Sequence, residues 1–277
     1  LNPQDADRIF LHYPGLNETY TAEDVPYNQL ENIELFHFGY PPLLKQCYKE
    51  NGRESVKLFK KIQELGIVTS LDMTLPDPNS ESGKIDWNKY LENVLPYVNI
   101  FAPSIEELLY MISYNDYQKY EEGKLEITKE LLNNLAKSLN EKGADIVVIK
   151  LGSKGLYMRS KKIDTSLLSN LINPKNWSQK QILTNCFLVD VAGTTGAGDT
   201  TIAGFLASIF RGDIPEKAME IATAVGAHCV EKLGATSGIK SLSEIESRIN
   251  NGWNKKEIGF KLNDWQFNEK HKLYVRG

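Results

Sequence analysis

Short apolar runs alternate with longer amphipathic stretches through the first 150 residues of the chain. Runs rich in Val, Ile, Leu and Phe are the right length for buried strands. They cover residues 33–38, 67–71, 97–101 and 145–150. Between them, apolar residues recur at helical spacing. The helices are expected over residues 53–65, 86–95 and 128–140. This alternation favours a doubly wound α/β fold, with a mainly parallel sheet and helices on both faces.

The second half of the chain has a different pattern. A short apolar run at residues 187–189 predicts a strand, and a loop of small residues leads from it to an apolar helix over residues 201–210. Another helix is expected over residues 215–233, because a proline suits its first turn. Residues 161–184 are polar and are interpreted as a long hairpin excursion. The aromatic tail from Asn251 is expected to pack at an edge.

The bulk composition is that of a soluble globular chain without strong charge. It has 277 residues, 41% of them hydrophobic, a net charge of −4 and a mean hydropathy of −0.37. This balance argues against a nucleic-acid or membrane-surface binder, and no apolar run is long enough to span a bilayer. Cys47, Cys186 and Cys229 fit no metal-binding spacing and are interpreted as reduced core thiols of a cytoplasmic protein.

The loop before residue 201 carries the clearest chemical signal, the sequence GTTGAGD over residues 193–199. Gly196 and Gly198 can adopt backbone conformations closed to other residues. The helix that follows aims unpaired N–H groups at the loop, which favours phosphate binding. Asp199 adds a carboxylate, which is useful where a group must lose a proton. The alternative is a plain strand-to-helix turn with an acidic residue in the first helical turn.

This loop resembles a motif of a known family. Residues 194–199, followed by Ala203 and Gly204, resemble the C-terminal signature of the ribokinase-like (PfkB) sugar kinases. The resemblance implies a ribokinase-like fold and transfer of the γ-phosphoryl group of ATP, with Mg²⁺, to a sugar hydroxyl. Gly193 stands where the family usually has an aspartate that helps to hold a monovalent cation. Weak or no activation by such a cation is therefore expected.

The resemblance also implies roles for particular residues. Asp199 would take the hydroxyl proton, and the migrating phosphoryl group would lie in an anion hole formed by Gly196, Ala197 and Gly198. The residues expected to contact the nucleotide are Lys150, Gly152, Gly155, Thr194, Thr195, Thr223 and Gly226. A hairpin turn alone would also explain the glycines that follow residue 150.

Ser104 and Glu107 begin a predicted helix after the strand at residues 97–101. The family has Asn-x-x-Glu at this point, and its glutamate helps to organise Mg²⁺ and phosphate through water. Glu107 would take that role here. Ser-x-x-Glu before an apolar run is also a capping box, which satisfies helix-end N–H groups without any catalysis. The two interpretations are compatible.

Residues at the ends of the first two predicted strands are candidates for substrate contact. Gly39 and Tyr40 follow the strand at 33–38, where the family often touches the sugar, although neither offers the carboxylate that some relatives use. Asp72 follows the strand at 67–71, at the end where open α/β sheets bind ligands. An aspartate that only starts a turn is the alternative for Asp72.

The start of the chain is interpreted through the same resemblance. Residues 9–13 predict a strand, and residues 1–15 together are expected to be part of a β-hairpin lid over the sugar. The family's first core strand and its sugar-binding Gly-Gly segment would then precede Leu1, so the chain is a fragment or a truncated protein. We expect residues 1–277 to form a single kinase domain, and a homodimer to form through the lid.

The sequence leaves the acceptor open. A nucleoside kinase of the same family would need the same loop and the same Asp199. A protein that binds nucleotide or sugar without catalysis could also use this fold. Retention of Asp199 argues against that reading, because binding alone needs no base.

Overall fold

The computed structural model describes residues 12–163, 166–257 and 259–276. The predicted strand at residues 9–13 lies largely outside this part of the chain, and with it most of the expected lid and its dimer contact. His12 and Tyr13 are irregular, and a short 3₁₀ helix follows at Gly15–Glu18.

Contacts divide the chain into two compact units. The N-terminal unit comprises Tyr13–Ile149 and Arg159–Asn170. The C-terminal unit is built on Lys150–Met158 and Leu171–Gly277. The prediction of one kinase domain over residues 1–277 stays a prediction.

The N-terminal unit is organised around parallel strands in the order β1-β2-β3-β4. They are β1 (Leu35–Phe38), β2 (Val68–Leu71), β3 (Ile100–Phe101) and β4 (Ile146–Lys150), whose last residue begins the C-terminal unit. In register, Phe38 lies beside Leu71, and Leu71 beside Phe101. Strands β2, β3 and most of β4 are fully buried, as expected of parallel strands covered by helices.

Helices connect these strands. They are α1 (Lys45–Glu64), α2 (Trp87–Val94), α3 (Ile105–Ile112), α4 (Tyr114–Glu121) and α5 (Lys129–Lys142). Side chains of Asp86, Ser104 and Thr128 cap α2, α3 and α5 by accepting a backbone N–H in the first turn. Each such cap stabilises its helix by about 0.5–2 kcal/mol. The predicted helices over residues 86–95 and 128–140 are thus confirmed to within one or two residues at most boundaries.

Helix α1 is interrupted near its start. Glu50, Asn51 and Gly52 have positive φ angles of 50°, 53° and 86°. A side chain on Gly52 would meet the ring of Tyr90 at 2.7 Å, so close packing of α2 requires glycine here. The regular helix resumes at Arg53, where the apolar spacing predicts its start.

The C-terminal unit ends in antiparallel strands. Its elements are β5 (Leu156–Ser160), which spans the sequence boundary of the units, α6 (Pro174–Trp177), β6 (Gln181–Thr184), α7 (Ala197–Phe210), α8 (Pro215–Val230), α9 (Leu242–Asn250), β7 (Gln266–Asn268) and β8 (Leu273–Arg276). The strand order is β6-β8-β7, antiparallel throughout. The tail therefore packs at an edge, as predicted.

The predicted strand at residues 187–189 is wrong as an element. Within it only Phe187 forms a β-bridge, to Lys255, and the ladder strand β6 ends earlier, at Thr184. The remaining predictions of an α/β architecture with a mainly parallel sheet are confirmed. No helix among the described residues combines the length and apolar character needed to cross a membrane.

Candidate active site

The loop that enters α7 is shaped by one glycine. Gly196 has φ +81° and stands immediately before the first residue of the helix, and a side chain there would lie 2.3 Å from the Ala235 carbonyl oxygen. Only glycine fits both the left-handed backbone and this close approach. Asp199 therefore falls in the first turn of a 14-residue helix.

A positive charge lies at the start of this helix. The Lys150 ammonium is 3.6 Å from the point where a Cβ on Gly198 would be. Because the N-terminus of a helix carries a partial positive charge of its own, Lys150 and α7 together favour an anion at this point. Lys150 and Gly198 are far apart in sequence, and the C-terminal unit brings them together.

Backbone hydrogen bonds fix the loop from both sides. The N–H groups of Ala192 and Gly193 donate to the Val230 carbonyl at the end of α8, over 2.8 and 3.2 Å. The N–H of Ala197 donates to the Thr194 carbonyl over 3.2 Å. An anion that accepts from Ala197 would have to replace this last bond.

The turn after β4 packs closely against the end of β6. Gly152 begins a short 3₁₀ helix, Gly152–Lys154, and Gly155 has φ +103°. A side chain on Gly155 would overlap the Thr184 carbonyl. The Cys186 thiol donates to the Gly152 carbonyl over 3.3 Å, and burial raises the pKa of this thiol, so it is a neutral donor. The packing alone explains Gly155, and nucleotide contact by this turn stays a prediction.

Thr223 and Gly226 lie on α8 and have structural partners. The Thr223 hydroxyl donates to the carbonyls of Met219 and Glu220, both at 3.0 Å. A side chain on Gly226 would lie 2.3 Å from the Thr201 hydroxyl oxygen, so glycine lets α7 and α8 approach closely. These contacts account for both residues without a ligand, and their part in nucleotide binding also stays a prediction.

In the N-terminal unit, the ends of β1 and β2 are joined. The N–H of Tyr40 donates to the Asp72 carbonyl over 3.2 Å. Asp72 is buried, and its carboxylate accepts the Met73 N–H over 2.8 Å. Tyr40 has φ +63°, a strained backbone for a residue with a side chain, and Gly39 precedes it. No turn is assigned at Asp72, so its role in a turn stays a prediction, as does sugar contact by Gly39 and Tyr40.

The capping box at the start of α3 is also confirmed. The Glu107 carboxylate accepts the Ser104 N–H over 2.7 Å, and the Ser104 hydroxyl accepts the Glu107 N–H over 3.2 Å. Among the described residues, no three His, Cys, Asp or Glu side chains form a metal cage. Mg²⁺ that spans phosphate groups needs only one or two protein carboxylates and keeps several waters, so a single glutamate fits it.

The sequence matches one known protein family over most of its length. The profile of the pfkB family carbohydrate kinases matches residues 1–242. The chain belongs to this family. An uncharacterized sugar kinase of Archaeoglobus fulgidus is 28% identical over 236 residues, which cover 85% of this chain and 76% of that protein.

Solved structures confirm the ribokinase-like fold. Thermotoga maritima ribokinase superposes with a TM-score of 0.57 at 21% identity, over 86% of this chain and 64% of that one. A candidate ribokinase II from E. coli, in complex with ATP and Mg²⁺, gives 0.59 at 23% identity, over 83% and 63%. This PfkB-family chain thus spans less than two thirds of both structures. At these identities the likeness is one of fold.

The glycine at position 193, where an aspartate is expected, leads to a prediction about monovalent cations. Gly193 has no side chain, and its N–H donates to the Val230 carbonyl over 3.2 Å, so it offers no carboxylate to a monovalent ion. We expect little or no change in turnover when K⁺ is replaced by a bulky organic cation at constant ionic strength. The matched variant Gly193→Asp should gain K⁺ dependence. A large loss of wild-type rate without K⁺ would contradict the prediction. The next residue to substitute would then be Asp190, the carboxylate three residues before Gly193.

Proposed function

We propose that this PfkB-family protein transfers the γ-phosphoryl group of ATP to a sugar hydroxyl. The observation that carries the proposal is the start of α7, where Lys150, the helix N-terminus and Asp199 belong to one unit. Lys150 and the helix N-terminus favour an anion, and Asp199 places a carboxylate in the first turn of the same helix. An anion site needs no carboxylate unless a proton must be removed there.

The reaction assigns a role to each part of the loop. The acceptor oxygen attacks the γ-phosphorus while its proton passes to the Asp199 carboxylate, and the bond from phosphorus to the ADP oxygen breaks. N–H groups of Gly196, Ala197 and Gly198 face the migrating phosphoryl group, with Ala197 exchanging its bond to Thr194. This type of transfer depends on positioning and charge neutralisation more than on covalent help.

The remaining candidate residues are proposed to contact the nucleotide, the metal or the sugar acceptor. Mg²⁺, when bound, neutralises phosphate charge. Glu107 would hold its water, and Gly39 and Tyr40 would face the sugar. The residues proposed to hold ATP are Lys150, Gly152, Gly155, Thr194, Thr195, Thr223 and Gly226.

The test is ATP consumption by the full chain against a panel of sugars and nucleosides. We expect ADP to form only with an acceptor, and a sugar to give the highest kcat/KM. A nucleoside as the best acceptor would replace the sugar in this proposal. Tight ATP binding without turnover on any acceptor would overturn it in favour of a non-catalytic nucleotide-binding protein.

A substitution at Glu107 separates its two roles. Glu107→Gln keeps a side chain that suits this position of a capping box, so the melting temperature should change little. It removes the charge that would orient the metal's water, and the Mg²⁺ concentration for half-maximal activity should rise about 10- to 100-fold.

The matched control is Glu244→Gln. Glu244 occupies the same position of the capping box that Ser241 begins at α9. It should leave the Mg²⁺ dependence unchanged. Equal Mg²⁺ titrations for the wild type and Glu107→Gln would show that Glu107 only caps its helix.

A further inference from the structure

The loop at residues 193–199 is called the phosphate loop here. The chain between β6 and this loop is bound by the C-terminal segment, residues 251–257 and 259–276, which lies beyond the family match at 1–242. The Leu188 N–H donates to the Asn254 carbonyl over 2.8 Å. The Leu188 carbonyl accepts from the Trp253 indole N–H over 2.9 Å. Both backbone polar groups of Leu188 are therefore satisfied by the C-terminal segment, five residues before the loop begins.

Leu188 is 51% exposed, so packing of its side chain does not hold this position. Its neighbours on either side point inward instead. Phe187 is buried, and Val189 packs against the same cluster of apolar residues. The side chains of residues 187–189 alternate between the interior and solvent, as in a strand. The backbone N–H and C=O groups of such a stretch need hydrogen-bond partners, and the C-terminal segment provides them.

Two neighbours contact the ring of Trp253. Its ring stacks on Phe187 with centroids 4.3 Å apart, and the Arg248 guanidinium lies 3.7 Å from its centroid. It belongs to one buried cluster with Ile221 and Val225 of α8. The indole N–H is therefore held in place before it meets Leu188.

Further bonds hold the segment against the same stretch. The Lys256 N–H donates to the Cys186 carbonyl over 2.9 Å, and the Asn185 side chain donates to the Lys256 carbonyl over 2.7 Å. The Lys255 ammonium donates to the Thr184 hydroxyl over 2.8 Å. Burial lowers the pKa of Lys255 to about 8, which marks how enclosed this contact is.

We propose that Trp253 is a positioning residue for phosphoryl transfer: it fixes Leu188 and thereby the entry of the chain into the phosphate loop. The inference rests on the proposed function for its link to ATP. Leu188 lies only five residues before Gly193, where the phosphate loop begins. At that end, the backbone N–H groups of Ala192 and Gly193 donate to the Val230 carbonyl. Residues 188–193 are thus held by hydrogen bonds at both ends. At the Leu188 end, one of these bonds comes from the side chain of Trp253.

The test compares Trp253→Phe with Trp265→Phe in the full chain. Both tryptophans lie in the C-terminal segment and are 8% exposed, but the Trp265 indole N–H has no hydrogen-bond partner among the described residues. Phenylalanine keeps a ring at each place and removes the indole N–H. A neutral hydrogen bond contributes about 0.5–1.5 kcal/mol.

Trp253→Phe should weaken ATP binding about two- to tenfold, since 1.4 kcal/mol is a factor of ten. Amide hydrogen exchange over residues 187–199 should accelerate by a similar factor in the absence of ligand. Trp265→Phe should change neither the ATP affinity nor the exchange rate over residues 187–199, although both variants can lower the melting temperature.

The outcomes separate the two proposals. Unchanged exchange over 187–199 and unchanged ATP affinity in Trp253→Phe would overturn the positioning role. Equal effects in Trp265→Phe would also overturn it, because loss of packing would then explain both. If the wild type binds no ATP, the proposed function fails, whereas the exchange rates still decide whether Trp253 fixes the loop.

Discussion

Asp199→Asn is expected to lower kcat by about 10²- to 10⁴-fold, because general-base catalysis typically contributes that much. This corresponds to roughly 3–5 kcal/mol of activation barrier at 1.36 kcal/mol for each tenfold change. Asparagine keeps the size of the side chain but does not accept a proton at neutral pH. The Kd for ATP should change little, or fall, since a negative charge beside the phosphates is removed.

The measurement is kcat from steady-state turnover together with Kd for ATP from titration calorimetry. Asp213→Asn is the matched control at the other end of α7, where the carboxylate accepts from the Ser208 hydroxyl over 2.9 Å. It removes the same charge and should leave kcat near the wild-type value. Turnover by Asp199→Asn within a fewfold of the wild type would show that another group takes the proton.

Gly196→Ala is expected to destabilise the fold as well as the site. Alanine at φ +81° costs roughly 1–2 kcal/mol, by the steric cost of left-handed backbone. Its Cβ would also lie 2.3 Å from the Ala235 carbonyl oxygen, and such overpacking typically adds about 1–3 kcal/mol. The free energy of unfolding should therefore fall by about 2–5 kcal/mol, and activity should be lost with the shape of the loop.

Gly198→Ala gives the matched comparison for stability. Its φ is not in the left-handed region, and the nearest atom outside the helix, Lys150 Nζ, would be 3.6 Å from the added Cβ. Denaturant unfolding should place this variant close to the wild type. If Gly196→Ala unfolds at the same denaturant concentration as Gly198→Ala, the loop does not depend on the left-handed glycine.

Several local features of the site were predictable because they depend on neighbours in sequence. The capping box of Ser104 and Glu107 is set by residues three apart, and the bond distances confirm it. The GAGD motif predicts a turn followed by a helix, and Ala197 indeed begins α7 after a left-handed glycine. Such features follow from backbone geometry and hydrogen bonding within one turn.

Other predictions failed where the partner is remote. Residues 187–189 have the composition of a strand, but only Phe187 pairs, because the available partner, Lys255, comes from an irregular part of the C-terminal segment. The contact between Trp253 and Leu188 was not predictable, since nothing in either stretch specifies the other. The aromatic tail that contains Trp253 predicted edge packing at most.

Periodicity and short motifs in the sequence alone determined the alternation of strands and helices, the helix starts capped by Asp86, Ser104 and Thr128, and the pfkB-family loop, because each depends on residues a few positions apart. The tertiary structure decided which side chains and backbone carbonyl groups lie against that loop and its entry. Lys150 at Gly198, the Ala235 carbonyl at Gly196 and Trp253 at Leu188 are contacts between residues 39 to 65 positions apart. Such contacts are fixed by close packing and by the need to satisfy backbone polar groups, which act only once the chain has folded.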